Sequence, residues 1–217
     1  MAERTFNTDL QLGGSGRVRG MAVPVLAGDA ATKAYADTRF NIPFLVPAAG
    51  EHVMTTMGSG SNLTTQAGAA GRMEIHCWTP RATIVTDAIA INVTTAVAAA
   101  LAKVVVYGSD INGRPDARLG ETADIDCSIA GVRTATLALT LIAGVTYWFG
   151  IRHSSTATLS AWLASAVPDI NGGGPTANAR KALRRTLAYG TAAPAAWAYV
   201  SSEAVNINPT AVWLRML

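Results

Sequence analysis

The feature that most constrains this chain is an 18-residue run, 134–151, without a charged side chain. Its length approaches that of a transmembrane helix. Its apolar residues, however, fall at every second position, and they do so again after the turn-forming pair Ala143-Gly144: Ala135, Leu137, Leu139, Leu141, then Val145, Tyr147, Phe149 and Ile151. Period two is typical of strands with one buried face. We therefore predict a β-hairpin with one face inward, and no membrane-spanning segment.

Similar patterns recur along the chain from residue 41 onward. They predict strands at 52–57, 72–78, 83–93, 102–107, 134–141, 145–152, 158–163 and 211–216. Turn-forming residues separate these stretches. Short strands at this spacing indicate an all-β domain, an antiparallel β-sandwich or jelly-roll-like fold covering residues 41–217. Residues 177–189 fit either a helix or a strand, and the all-β surroundings favour the strand.

Residues 1–40 have no periodicity that could bury a core. Their glycines favour an extended course, and Asp29 is a suitable N-cap for one short helix. A single short helix is not stable alone. We expect an extended N-terminal anchoring segment that gains order by docking, and the alternative is a disordered tail.

Composition narrows the classes of partner. Charged residues make up 14% of the chain, against about 25% in an average soluble domain. A formal net charge of +3 is too small to predict nucleic acid as the partner. So few charges indicate that much of the surface faces other protein. Cys77 and Cys127 are too few for a metal framework; buried thiols are favoured over a disulfide, which stays open.

Catalytic motifs are missing from the sequence. It has no nucleophile elbow, zinc-protease or phosphate-loop pattern. Asp124 and Asp126 could be imagined as an acid pair, but their spacing predicts a polar face of an edge strand. The Asp110–Asp116 loop predicts a turn rather than a calcium site. We expect no enzymatic activity, no metal and no cofactor.

Two groups of side chains remain as candidate contacts. One is a basic cluster that could meet protein or phosphate, or could simply be solvated: Arg180, Lys181, Arg184 and Arg185. The other is a set of aromatic residues at or near predicted strand ends: Trp162, Trp197 and Tyr199. If exposed, these rings would suit sugar stacking, although a Trp in a sandwich is more often part of the core.

The run VPVLAGDAATKAYADTR, residues 23–39, resembles a junction found in bacteriophage tail-fibre and appendage proteins. The matching positions are Asp29, Ala30, Ala31, Thr32, Lys33, Ala34, Tyr35 and Asp37, and Ala36 replaces the usual Val. In that family the segment links a virion-binding region to the next part of the chain. The resemblance implies that these residues serve virion anchoring and oligomerisation.

Residues 104–155 are similar to small β-sandwich domains of phage structural proteins. The similarity rests on a loop, two strands and an aromatic pair: Tyr107, Gly113, Pro115, Gly131, Thr134, Leu137, Gly144, Tyr147 and Trp148. It implies a fold and a particle context, with no catalytic residues to carry over.

Together the two resemblances imply a virion structural protein, a homotrimeric tail or head fibre or spike. Its expected partners are other virion proteins (capsid, portal, tail or baseplate), and its projecting sandwich is expected to contact host-surface glycan. The alternative is a purely architectural capsid-decoration or baseplate subunit. A glycan-cleaving depolymerase is the weakest hypothesis, because the chain has no room for a long β-helix.

Overall fold

The alternating apolar residues build two antiparallel sheets that pack face to face. The structure is a computed structural model that describes residues 47–55, 63–167, 169–170 and 180–217, all within one compact unit. Strands account for 53% and helices for 3%, which confirms the predicted all-β sandwich. The anchoring segment 1–40, with its predicted helix, and the boundary at residue 41 lie outside the described residues.

Thirteen strands and two single-turn 3₁₀ helices, Ala164–Ala166 and Ser201–Glu203, are present in the described ranges. The strands are β1 (His52–Met54), β2 (Leu63–Ala67), β3 (Arg72–Trp78), β4 (Ile84–Thr95), β5 (Leu101–Ser109), β6 (Pro115–Glu121), β7 (Ile125–Asp126), β8 (Gly131–Leu141), β9 (Tyr147–His153), β10 (Thr158–Trp162), β11 (Ala182–Thr186), β12 (Ala204–Val205) and β13 (Trp213–Met216). No helix in these ranges is long and apolar enough to cross a membrane.

Each sheet is organised around one long strand. In the first sheet, β4 pairs with β8 along one edge and with both β13 and β10 along the other; β1 and β2 complete the sheet. The second sheet has the order β12-β11-β3-β9-β5-β6, and β7 pairs with the start of β5. Every pairing of named strands is antiparallel.

The predicted hairpin at 134–152 is wrong in its pairing, although both strands exist. Strand β8 pairs with β4 in the first sheet, whereas β9 pairs with β3 and β5 in the second. The chain crosses the core between them. The predicted inward face is correct, because Leu137 and Leu139 pack against the core cluster that contains Tyr147 and Phe149 of the opposite sheet. Alternation reports which face of a strand is buried, and it does not report which strand lies beside it.

An apolar core fills the space between the sheets. Its largest fully buried members include Ile84, Ile89 and Ile91 of β4 and Phe149 and Ile151 of β9. A second apolar cluster lies on the outer face of the second sheet, around Met73, Ile75, Trp148, Leu183 and Trp197. The second sheet is therefore buried on both faces.

The ambiguous segment 177–189 contains strand β11, as favoured from the all-β context, and its residues 177–179 are not described. Both cysteines are free thiols. Cys77 packs on the outer cluster and Cys127 lies in the main core. Burial raises the pKa of each thiol to about 11, which keeps them protonated near neutral pH.

Truncating the inward face of β8 should destabilise the fold far more than truncating its outward face. Leu141 is fully buried and Thr140 is exposed. Leu141→Ala should lower the free energy of unfolding by about 2–5 kcal/mol, and Thr140→Ala by less than about 1 kcal/mol. Urea denaturation of both variants measures this; equal losses would show that the assigned facing of β8 is wrong.

Candidate functional site

The three candidate aromatic residues lie in different environments. Trp162 and Trp197 are each only 2% exposed. Trp162 packs against Trp213, with ring centroids 5.5 Å apart, and Trp197 meets the edge of Tyr107 at 5.7 Å. Buried rings offer no face to a sugar, so these two residues are corrected to core positions. Tyr199 is half-buried at the surface.

The four basic residues do not form one patch. Arg184 Nη2 lies 2.7 Å from Glu74 Oε1. Arg185 forms a bidentate salt bridge with Glu203, in which Nε and Nη2 donate to the two carboxylate oxygens. Lys181 is 3.0 Å from a carboxylate oxygen of Asp169 and donates to the carbonyl of Val167. Arg180 donates to the carbonyl of Ser201. All four side chains have partners within the chain, and their contact with phosphate or another protein stays a prediction.

A segment without regular alternation covers the outer face of the second sheet. We call residues 187–203 the strap. The N–H of Leu187 donates to Gly71 O at 2.8 Å, and the N–H of Trp197 donates to Asp116 O at 2.9 Å. The Trp197 ring lies 3.9 Å below the Arg185 guanidinium, and its Nε1 donates to Glu203. The strap thus covers the outer apolar cluster.

The buried side chain of Arg152 fastens the strap to the sheet. It is 1% exposed, and its Nη2 donates to the carbonyls of Ala188, Tyr189 and Thr191. Its Nη1 donates to Glu121 Oε1. A buried charge is tolerated only when it is paired and hydrogen-bonded, and the strap carbonyls supply most of those bonds. The Arg152 guanidinium therefore links the sheet directly to the strap.

Arg118 and Tyr107 extend this attachment along the strap. Arg118 Nη1 donates to the carbonyl of Ala193 at 2.7 Å and to Glu121 at 3.1 Å. Tyr107 donates its hydroxyl proton to the carbonyl of Pro194 at 3.1 Å. Burial raises the pKa of Tyr107 to about 12, so it stays a donor at neutral pH. The anchored strap holds Tyr199 in place at its far end.

Tyr199 lines a surface depression of about 180 Å³ together with Asn112, Gly113, Arg114, Trp148 and Ile170. This volume is below the roughly 300–1,000 Å³ of pockets that hold drug-sized ligands. The Arg114 guanidinium lies 5.2 Å from the Tyr199 ring centroid. A guanidinium stacked on an aromatic ring can donate to hydroxyl or carboxylate oxygens. The depression therefore places an aromatic ring and a guanidinium side by side at the surface.

The loop beside this depression is held by Asp110. Its Oδ1 accepts the N–H groups of Asn112 and Arg114, each at 2.8 Å. The bond from the Arg114 N–H lowers the pKa of this carboxyl. Gly113 has φ +75°, a conformation that glycine adopts without strain, and its carbonyl accepts the Trp148 Nε1 proton at 3.1 Å. This loop is the predicted turn, and the carboxylate of Asp110 accepts hydrogen bonds from the backbone of the same loop.

The two aspartates considered as an acid pair have separate partners. Asp124 accepts the Tyr189 hydroxyl proton at 2.6 Å and is 3.5 Å from Lys103. Asp126 accepts the N–H of Ser128, and hydrogen bonding to Ser128 lowers its pKa. Among the described residues, no three His, Cys, Asp or Glu side chains are placed to hold a metal ion.

Strand β3 carries an unusual group of buried polar side chains. Glu74 is 2% exposed, forms ion pairs with both Arg72 and Arg184, and accepts a hydrogen bond from Arg184. His76 Nε2 lies 3.2 Å from the carbonyl of Thr55, which fits a neutral ring that donates from this nitrogen. Burial lowers the pKa of His76 to about 4 and that of His153 to about 4. Sequence reasoning missed this group, since the alternation marks β3 as an ordinary half-buried strand.

The comparisons with known proteins give no assignment. No family model matches the sequence, and no curated protein matches it. What the molecule does is therefore inferred from its own residues.

Replacing Arg152 should release the strap. Arg152→Met keeps an apolar stem but removes the bonds to three carbonyls and to Glu121. Because it breaks a buried charge network, it should lower the free energy of unfolding by about 3–5 kcal/mol. The matched control Arg81→Met alters an exposed arginine and should change stability by less than about 0.5 kcal/mol. Urea denaturation with tryptophan fluorescence compares the two; similar losses would contradict the proposed attachment.

Stability should fall as the pH drops from about 6.5 to about 4. The folded pKa values of His76 and His153 lie below the unfolded value of about 6.5, so the unfolded chain binds more protons in this window. Stability from this source is complete above pH 6.5, and about 2 kcal/mol for each histidine is lost between pH 7 and pH 5.

Urea denaturation at several pH values tests this dependence. His153→Gln should flatten the slope between pH 7 and pH 5, whereas His52→Gln, at an exposed position, should leave it unchanged. An unaltered slope in the His153 variant would contradict burial of a neutral ring at this position.

Proposed function

We propose that this protein is a structural component of a bacteriophage or phage-derived particle. The observation that carries the proposal is the run at 23–39, in which eight of nine positions from Asp29 to Asp37 follow the phage fibre junction. The sandwich architecture of the described residues and the low share of charged residues, 14%, support it. The role is one of assembly and contact, not of chemical conversion.

In this proposal the two parts of the chain have different roles. Residues 1–40 dock on other virion proteins and, as in the fibres they resemble, bring three copies together. The sandwich projects from the particle. Several copies side by side raise avidity without a tight single site. The depression at Tyr199 and Arg114 combines an aromatic ring with hydrogen-bond donors, and it is the proposed contact for host-surface glycan.

A second candidate is a purely architectural subunit, a capsid decoration or baseplate piece that fastens its neighbours. The burial of Trp162 and Trp197 favours this alternative, because it leaves only Tyr199 of the three candidate aromatics near the surface. One small depression beside one half-buried ring offers little surface for binding a receptor.

Particles carrying variants at Tyr199 should separate the two candidates. Tyr199→Ala removes the ring, and Tyr199→Phe keeps it. If the depression binds glycan, particles with the Ala variant should adsorb to host cells at least tenfold more slowly, while those with the Phe variant should adsorb normally.

Antibody labelling of purified particles in the electron microscope provides the accompanying test of location. Labelled particles with normal adsorption of both variants would support the architectural role. Particles that carry none of this protein would contradict the virion proposal itself.

A further inference from the structure

Strand β8 is a long edge strand whose outer edge pairs with no other described strand. It has 11 residues and pairs with β4 alone. The other described edge strands are shorter: three residues in β1, five in β2, seven in β6, and two each in β7 and β12. An unpaired edge presents a row of N–H and C=O groups that can bind another strand.

The features that usually protect such an edge are missing from most of β8. Between Thr134 and Leu141 it contains no charged residue and no proline. Its one charge, Arg133, turns back to donate to the carbonyls of Ile129 and Ala130. The edge strand β6, by contrast, contains Pro115 and charged side chains. Natural sheets use such residues to block edge-to-edge association, and β8 lacks them.

Exposed apolar side chains gather at both ends of β8. Val132 is 65% exposed and Ile129, just before the strand, 58%. Just after it, Ile142 is 49% and Val145 41% exposed. Between them the outward face carries only the small residues Thr134, Thr136, Ala138 and Thr140, all exposed. Clustered exposed apolar residues mark surfaces that bind other protein.

The pattern of these residues is complementary to itself. When β8 lies antiparallel to a second β8 with Leu137 on the symmetry axis, Val132 comes opposite Ile142, the residue that directly follows the strand. Small residues fall opposite small residues, such as Thr134 opposite Thr140. Opposed like charges would disfavour such pairing, and this stretch has none. No segment of a different protein is needed to explain the pattern.

We propose that the free edge of β8 is a self-association surface, on which a second copy of this chain adds its own β8 in antiparallel orientation. The two first sheets then form one continuous sheet across a two-fold axis, with the same patch used on both copies. Backbone hydrogen bonds would supply the attraction, as in other cases of strand addition.

This contact goes beyond the proposed virion role. A two-fold contact cannot close within a trimer, so the β8 edges would join copies from two facing trimers and double the mass of the assembly. Fastening neighbouring subunits in this way is what the architectural alternative requires.

Opposite charges placed on the edge test the proposal in the full chain. One double variant carries Thr136→Lys and Ala138→Lys, and another carries Thr136→Glu and Ala138→Glu. Both positions are exposed, so the fold should persist, as circular dichroism will confirm. The measurement is sedimentation across a range of protein concentrations.

The wild-type chain should show a concentration-dependent doubling of its assembly mass. Each charged variant should raise the dissociation constant of that doubling at least about tenfold, because like charges now face each other. An equal mixture of the two variants should restore it, because in the proposed register each Lys at 136 or 138 then faces a Glu. The matched control, Thr65→Lys with Ala67→Lys on the short edge strand β2, should associate like the wild type.

Two results would overturn the proposal. One is a wild-type chain that never doubles its mass; an extended segment of another protein would then be the remaining occupant of the edge. The other is a mixture of Lys and Glu variants that fails to restore doubling, which would show that β8 does not meet its own copy.

Discussion

The organisation of the second sheet depends on the guanidinium of Arg152, which is buried among strap carbonyls and Glu121. The sandwich core alone would leave the outer face of this sheet, with Met73, Ile75 and Trp148, open to water. The strap covers that face, and Arg152 holds it there, because a buried charge that loses its partners is strongly destabilising. The charge network and the second apolar cluster therefore stabilise each other.

The second sheet is covered on both faces, by the main core and by the strap. The first sheet is covered less completely in the described part of the chain. Outside its main core, the first sheet has a small apolar cluster in which Trp162, Val167 and Ala211 pack with Trp213. Its strand β8 ends the sheet at an edge that pairs with no described strand. The strap also contains Tyr199, which lines the depression beside Asn112 and Arg114. Both surfaces proposed for contact, the depression at Tyr199 and the edge of β8, thus depend on how the two sheets are covered.

The sequence was sufficient to predict the all-β class, most of the longer strands and the inward facing of Leu137 and Phe149, because alternation depends on local residues. It could not predict that β8 and β9 lie in opposite sheets, since pairing is a long-range choice. The short strand β2, LTTQA, and the charged strand β6, PDARLGE, lack a clear apolar face. The burial of Trp197 and of Arg152 depends on contacts with the strap, whose residues have no periodicity.

Backbone amide hydrogen exchange of the full chain tests most directly whether the strap is an integral part of the fold. The N–H groups of Leu187 and Trp197 bond to Gly71 and Asp116 of the sandwich, so they can exchange only when the strap detaches. The structure predicts that both amides exchange as slowly as those of the central strand β9. Exchange at the rate of an exposed loop would contradict it.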